Sequence, residues 1–127
     1  MIIWALTGDQ RLSDAAQKLI LSPDNTIYYS AASLWEIAIK NQKAPARCPY
    51  EEIEIERYCE SAGFLPINIS AEHVLAIRKL HPKEGHYLSN YDPFDRILLS
   101  QAKIEECRFL THDTQIANYD ESCIMLV

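Results

Sequence analysis

The chain has 127 residues, of which 48% are hydrophobic and 24% are charged, and its formal net charge at pH 7 is −6. These values are ordinary for a globular protein of one domain, and no apolar run approaches the roughly 18 residues that a membrane span needs. A sequence pI near 5.1 argues against a general nucleic-acid-coating protein. It does not exclude a nuclease, because acidic nucleases bind divalent cations that then meet the phosphate.

The cysteines and histidines lack the spacing of a metal site. There is no C-x-x-C pair and no H-x-x-x-H pair, which argues against a structural zinc ion. The opening residues have no basic n-region and no small-residue cleavage site, so a secretory signal is not expected. We therefore expect a cytoplasmic chain whose free thiols are mostly buried. The cysteines are Cys48, Cys59, Cys107 and Cys123.

The first predicted elements are two helices around a short strand. Apolar residues at helical spacing predict a helix at 12–21. The β-branched and aromatic run at 26–30 predicts a buried strand. Residues 31–42 then predict a helix that is capped by Ser30 or Ser33.

The middle of the chain predicts two further helices around a second strand. The first begins near Pro49, which a first turn tolerates, and its early acidic residues suit a helix N-terminus. A strand follows at 64–69, where Pro66 favours an edge position. Residues 70–80 predict a helix capped by Ser70. Its expected inward-facing residues are Val74, Ile77 and either Leu80 or His81.

The last part of the chain predicts a loop followed by a helix and two strands. The loop covers 82–91, the helix 92–106 and the next strand 107–111. A helical turn at 114–119 leads to a last strand at 123–127. Strands that alternate with helices predict an α/β domain with a mainly parallel sheet. Ligands of such sheets bind at the carboxyl ends of the strands.

Three acidic residues are expected at this carboxyl-end rim of the sheet. Asp95 lies in the first turn of the helix after the loop, with Asp92 as its N-cap. The helix crosses the sheet and the strand at 107–111 returns, so that Asp113 reaches the same rim. Glu36 lies in the second turn of the helix that follows the first strand.

Such a cluster of carboxylates is costly unless a cation neutralises it. Two carboxylates about 4 Å apart repel by roughly 4 kcal/mol at an effective dielectric constant of about 20. A bound divalent cation removes this repulsion, and hard oxygen ligands select Mg²⁺ or Mn²⁺. The pattern therefore predicts a divalent-cation site at the rim.

Each acid also has a purely structural explanation. A helix cap, worth about 1 kcal/mol, explains Asp92 better than a metal does, whereas Asp95 is better explained as a ligand. Glu36 is placed to form an i,i+4 ion pair with Lys40, worth about 0.3–0.5 kcal/mol. Asp113 is equally suited to capping the turn that follows it. The shared rim favours the metal, since three independent caps need not lie together.

Several segments, taken together, resemble the PIN-domain family. They are SAASLWEIAIK, DPFDRILLSQA and FLTHD, with further similarity in ALTGDQRLSDAAQKLI and GFLPINIS. The closest resemblance is to the VapC-type toxins of prokaryotic toxin–antitoxin operons. It covers nearly the whole chain, and the order and spacing of the segments make it specific.

This resemblance implies a three-layer, PIN-like domain over residues 1–127, with a mainly parallel central sheet flanked by helices. It implies an endoribonuclease that depends on Mg²⁺ or Mn²⁺, cleaves RNA, binds a cognate antitoxin protein and forms a homodimer. By position, Glu36, Asp95 and Asp113 match the family's second, third and fourth acids, which bind the metal and act in catalysis. Supporting residues would be Thr111, Asp92, Arg96 and His112. Of these, Arg96 and His112 are equally suited to a solvated surface.

The sequence departs from the family pattern at its beginning. Family members start with an apolar strand that ends in an acid, typically Asp-Thr-His, just before the segment matching IIWALTGD. Met1 lies inside that segment, so we expect the first strand and first acid to be missing and nuclease activity to be weak or absent. Asp9 is no substitute, because it lies in a polar turn after the IIWAL segment.

Two other functions compete with the ribonuclease toxin. A degenerate, catalytically inactive PIN-domain protein would still bind an antitoxin or dimerise. A phosphoacceptor domain would also gather acids at strand ends, but its acidic pair and its late lysine are not evident in the sequence.

Overall fold

The computed structural model describes residues 1–85 and 92–127, so most of the loop predicted at 82–91 lies outside the described residues. The chain divides into two compact units, Met1–Asn68 and Ile69–Val127. Each unit combines helices with one pair of short parallel strands, which confirms the α/β class. Among the described residues, no helix is both long and apolar enough to cross a membrane.

The first unit places its helices around a pair of strands, β1 (Tyr28–Ser30) and β2 (Leu65–Ile67). The two strands are parallel, with Tyr29 opposite Pro66 in the register. Pro66 cannot donate a ladder hydrogen bond, and it lies on a strand that pairs, within the described residues, with β1 alone. The elements are α1 (Ile2–Thr7), α2 (Asp14–Leu21), β1 (Tyr28–Ser30), α3 (Ala31–Lys43), α4 (Glu52–Ser61) and β2 (Leu65–Ile67).

The helix boundaries in this unit follow from their caps. The hydroxyl oxygen of Ser30 accepts the backbone N–H of Ala32 at 3.0 Å, which decides between the two predicted caps of α3. The expectation that α4 begins near Pro49 was wrong. Glu51 is its N-cap, and the backbone N–H of Glu51 donates to the side chain of Glu54 at 2.9 Å. This hydrogen bond satisfies a backbone donor at the start of the helix, so it fixes the first turn.

The core of the first unit is a small apolar cluster behind β1. On α4, Ile55 and Cys59 lie one turn apart and are both fully buried. Burial raises the pKa of the Cys59 thiol to about 11, and nearby Glu56 and Glu60 act in the same direction. The thiol therefore stays protonated and behaves as a small apolar side chain. The buried members of the cluster are Tyr29, Ile37, Cys48, Ile55 and Cys59.

The second unit builds its core between the helix α6 (Pro93–Ile104) and a pair of strands, β3 (Phe109–Thr111) and β4 (Ile124–Leu126). The strands are parallel, with Leu110 opposite Met125. Leu99 of α6 is fully buried and packs with Leu80 and Tyr119. The elements are α5 (Ala71–Ala76), α6 (Pro93–Ile104), β3 (Phe109–Thr111) and β4 (Ile124–Leu126), with 3₁₀ turns at Ile77–Lys79 and Ile116–Asn118.

The buried face of α5 differs from the predicted one. Val74 was expected to face inward, but its side chain is 51% exposed, and His73 is buried instead. The backbone N–H of Ser70 donates to Nδ1 of His73, which leaves Nε2 to donate to the carboxylate of Glu105 at 2.8 Å. Because both ring nitrogens of His73 have hydrogen-bond partners, its side chain can be buried. The buried face of α5 therefore contains His73 and not the neighbouring Val74, which the apolar spacing indicated. The spacing S-x-x-H, which resembles a capping box, is the signal that could have indicated this.

An ion pair with one buried partner joins the end of α6 to the segment before β4. The side chain of Glu121 is only 7% exposed, and its carboxylate lies 3.0 Å from Nζ of Lys103. It also accepts the backbone N–H of His81 at 3.1 Å. A buried carboxylate needs such partners, since its desolvation is otherwise uncompensated.

The turn from α6 into β3 is tight. The backbone N–H of Cys107 donates to the carbonyl of Ala102 at 2.8 Å, and Glu106 has a positive φ of 54°. This is the left-handed helix ending in which glycine is the usual residue. It directs the chain from the helix straight into the strand.

Candidate metal centre

The start of α6 brings two of the predicted acids into one helical turn. Asp92 is the N-cap, and its Oδ1 accepts the backbone N–H of Phe94 at 2.7 Å. Pro93 occupies the first helical position, where its missing N–H costs nothing. The side chain of Asp92 therefore has the capping role that the sequence favoured.

Asp95 lies in the same first turn and is half-buried. The helix N-terminus carries a partial positive charge, which stabilises the ionised form of a carboxylate there. Asp95 therefore lies where a carboxylate is favoured and where the sequence predicts a metal ligand.

Arg96 follows Asp95 and contains an unusual buried donor. Its Nε is buried without a hydrogen-bond partner among the described residues. Leaving a buried donor unpaired costs about 1–3 kcal/mol, so an acceptor that receives a hydrogen bond from this Nε would stabilise the fold. No sequence pattern indicates this buried Nε, because burial of one atom of an arginine depends on tertiary packing.

Asp113 lies just after β3 in a turn with two local hydrogen bonds. Its Oδ1 accepts the backbone N–H of Gln115 at 2.8 Å, and its own backbone N–H donates to Oγ1 of Thr111 at 3.0 Å. Thr111 is buried, so this second bond fixes the backbone from which the Asp113 side chain extends. The hydrogen bond to Gln115 confirms that Asp113 caps the turn that follows it. It does not exclude a second role, because a carboxylate accepts about four contacts in total.

Glu36 lies in the first unit, in the second turn of α3. Its carboxylate is 2.6 Å from Nζ of Lys40, and its side chain is 24% exposed. The predicted i,i+4 pair is therefore formed. Burial lowers the pKa of the Met1 amino group, and the negative charge of Glu36 opposes that shift, so the start of α1 lies near this carboxylate.

The carboxylate oxygens of these acids are ligands that suit a hard divalent cation. Asp95 and Asp113 belong to the second unit and Glu36 to the first. Within the described residues, no three side chains of the His, Cys, Asp or Glu types are grouped closely enough to bind a metal. His112, the remaining supporting residue, is exposed.

A comparison with protein families decides what kind of domain this is. The model of the PIN domain matches residues 1–122. The chain belongs to the PIN-domain family. The matched range includes Glu36, Asp95 and Asp113. Comparisons of this PIN-domain chain with curated proteins and with solved structures gave no significant match.

PIN domains are typically metal-dependent nucleases that act on RNA or DNA, and they generally use divalent ions. Membership of the family therefore gives the acids of this chain a chemical context that capping alone does not provide. In a metal-dependent nuclease, carboxylates bind the cation, and the cation then meets the negatively charged phosphate. An acidic protein can therefore still act on a nucleic acid.

Proposed function

We propose that this PIN-domain protein is an endoribonuclease that depends on Mg²⁺ or Mn²⁺. The observation that carries the proposal is the PIN-domain match over residues 1–122, which includes all three candidate acids. In the proposed site, Glu36, Asp95 and Asp113 supply carboxylate oxygens to the cation. The domain would be the three-layer α/β domain with a mainly parallel sheet that the sequence predicts.

The proposed roles of the residues follow from their local geometry. Asp95 lies in the first turn of α6, where the partial positive charge of the helix N-terminus favours a carboxylate. Thr111 holds the backbone of Asp113 through a 3.0 Å hydrogen bond. Arg96 carries a permanent positive charge next to Asp95, and we assign it to the attacked phosphate. The bound cation would lower the pKa of a water molecule and offset negative charge on the phosphodiester.

The ion pair of Glu36 does not oppose this assignment strongly. An exposed i,i+4 pair with lysine contributes only about 0.3–0.5 kcal/mol. A divalent cation attracts a carboxylate far more strongly than an exposed ammonium group does. Lys40 can therefore release Glu36 when the cation binds, at little cost to the stability of α3.

The proposal is tested by cleavage assays with the purified chain. In keeping with the departure from the family pattern at the start of the sequence, we expect weak cleavage of a single-stranded RNA in Mn²⁺ or Mg²⁺, its loss on chelation by EDTA, and its recovery when the cation is restored. A matched DNA substrate distinguishes an RNase from a general nuclease. Cleavage that survives chelation would contradict the metal-dependent mechanism. Cation and RNA binding without cleavage would instead favour the second candidate, an inactive PIN-domain protein that binds an antitoxin or dimerises.

We further propose that the chain is the toxin of a VapC-type toxin–antitoxin pair, acts in the cytoplasm, binds a cognate antitoxin protein and forms a homodimer. Exposed apolar side chains on α3 support a protein partner. Trp35 is 58% exposed and Ile39, one turn later, is 40% exposed. Adjacent exposed apolar residues are a common feature of protein–protein interfaces.

Co-expression tests this partnership. We expect the product of the neighbouring reading frame to copurify with the chain as a stable complex. Ile39→Glu should weaken the complex at least about tenfold, because a charge would be buried in an apolar contact. Leu75→Glu is the matched control, since Leu75 is 74% exposed in the second unit. A chain that remains monomeric and without a partner would contradict the toxin assignment.

A further inference from the structure

One segment of the second unit has a charge opposite to that of the chain as a whole. Residues 73–83, between Glu72 and Glu84, contain three of the chain's 12 lysines and arginines and none of its 18 acids. In a chain with a net charge of −6, this segment is locally positive. Its three cations are all exposed, and we call them the basic strip: Arg78, Lys79 and Lys83.

A buried leucine fixes the middle of the basic strip. Leu80 lies between Lys79 and Lys83, is only 3% exposed, and packs in the core with Leu99. The backbone N–H of Leu80 also donates to the carbonyl of Ile77 at 3.2 Å, which closes the 3₁₀ turn that precedes it. A surface that is held in place before binding loses less conformational freedom when a ligand binds. The backbone that carries the cations is therefore organised in advance.

Hydrogen bonds connect the end of the basic strip to the turn that contains Asp113. The backbone N–H of Lys83 donates to the carbonyl of Asn118 at 2.7 Å, and the N–H of Asn118 donates to the carbonyl of Gln115 at 3.1 Å. The N–H of Gln115 in turn donates to Oδ1 of Asp113 at 2.8 Å. The strip therefore ends against the segment that directly follows a proposed metal ligand.

The charges of the basic strip are available to an anion. Within the part of the chain that the structure describes, its three side chains make no ion pair, whereas Arg11 and Lys103 have carboxylate partners at 2.7 and 3.0 Å. An exposed acid, Asp120, lies beside the strip, because its backbone N–H donates to the carbonyl of His81 at 2.7 Å. A ligand with negative charges can thus bind the strip without first breaking an ion pair.

We propose that the basic strip binds the phosphodiester backbone of single-stranded RNA and directs the strand toward Asp113. This inference rests on the proposed function and names a surface that holds the substrate outside the metal site. Several cations on one anchored backbone fit a polyanion, and their binding releases counterions from the RNA. Contacts with phosphates position a strand without reading its bases, so the strip supplies affinity and no sequence preference.

The test measures the binding of a fluorescently labelled single-stranded RNA to the full chain by fluorescence anisotropy in EDTA, which keeps catalysis out of the readout. We expect Arg78→Gln/Lys79→Gln/Lys83→Gln to weaken binding by at least about tenfold at about 50 mM salt. Each phosphate contact of a single strand contributes about 0.7 to the slope of log affinity against log salt concentration. The slope should therefore fall by about 2 in this variant.

Two further variants separate the basic strip from the charge of the whole chain. Lys18→Gln/Lys43→Gln/Arg47→Gln is the matched control, because it removes three exposed cations from the first unit. It should change the affinity by less than about twofold. Asp120→Asn removes the acid beside the strip and should strengthen binding by about twofold. Damage to the fold would not strengthen binding, and circular dichroism verifies that each variant is folded.

The proposal fails if the parent does not bind RNA in EDTA. It also fails if the strip variant and the matched control weaken binding equally, because net charge alone would then attract the RNA. A strip variant that still binds RNA but no longer copurifies with the product of the neighbouring reading frame would assign the strip to a protein partner and overturn the RNA assignment. Strip-dependent binding in EDTA without any cleavage in Mn²⁺ would retain the strip and contradict the nuclease function instead.

Discussion

Replacing Asp95 or Asp113 with asparagine is expected to weaken the binding of Mn²⁺ to the chain by at least about tenfold, and to reduce any cation-dependent cleavage by at least as much. Each replacement removes a negative charge but hardly changes the size of the side chain. In Asp113→Asn the amide oxygen can still accept the N–H of Gln115, so the turn is retained. Loss of binding would therefore report on the cation and not on capping. Isothermal titration calorimetry with Mn²⁺ measures the effect.

The matched control is Asp120→Asn, which removes the same charge from an exposed position in the same unit. We expect it to bind Mn²⁺ as the parent does. If Asp95→Asn and Asp113→Asn also bind as tightly as the parent, the assignment of the metal site is wrong. Their carboxylates would then have only the local roles that the geometry shows.

Replacing Lys103 with methionine is expected to lower the free energy of unfolding by about 2–3 kcal/mol. The change leaves the buried carboxylate of Glu121 without its cation, and the backbone N–H of His81 still donates to it. Breaking a buried pair typically costs 3–5 kcal/mol, and we place this pair at or below the lower end because Lys103 is 38% exposed. Urea unfolding should show a lower midpoint with an unchanged slope.

Two further variants separate burial from charge. Lys40→Met breaks a pair that is shorter, at 2.6 Å, but more exposed at its carboxylate, and it should cost only about 0.3–0.5 kcal/mol. The double variant Lys103→Met/Glu121→Leu removes both charges and should recover part of the lost stability. Equal losses for Lys103→Met and Lys40→Met would show that the burial of Glu121 does not decide the strength of its ion pair.

The two ion pairs illustrate why the same residue types have different meanings in this molecule. Glu36 is paired with a lysine that it can release at little cost, which leaves it suitable as a ligand. Glu121 is held by Lys103 and by a backbone N–H in a nearly inaccessible position, which makes it structural. Exposure, and not the presence of a carboxylate, distinguishes the proposed functional acid from the structural one.

The sequence by itself determined the features that depend on neighbouring residues along the chain. The caps at Asp92 and Ser70, the ion pair of Glu36 with Lys40 and the turn at Asp113 are all formed between residues two to four positions apart. Such contacts follow from local backbone geometry, so sequence spacing predicts them. The order of helices and strands was predictable for the same reason, whereas the PIN-domain family was predicted from the resemblance of several segments to that family.

Only the tertiary structure decided the features that depend on residues far apart in sequence. Spacing suggested Val74 for the buried face of α5, but the contact of His73 with Glu105, 32 positions away, buries the histidine instead. The low exposure of Glu121 likewise arises from packing, and so does the burial of Nε of Arg96, which has no hydrogen-bond partner among the described residues. Burial sets the cost of an unpaired polar group and the pKa of a thiol, and burial is a property of the folded chain that no local pattern contains.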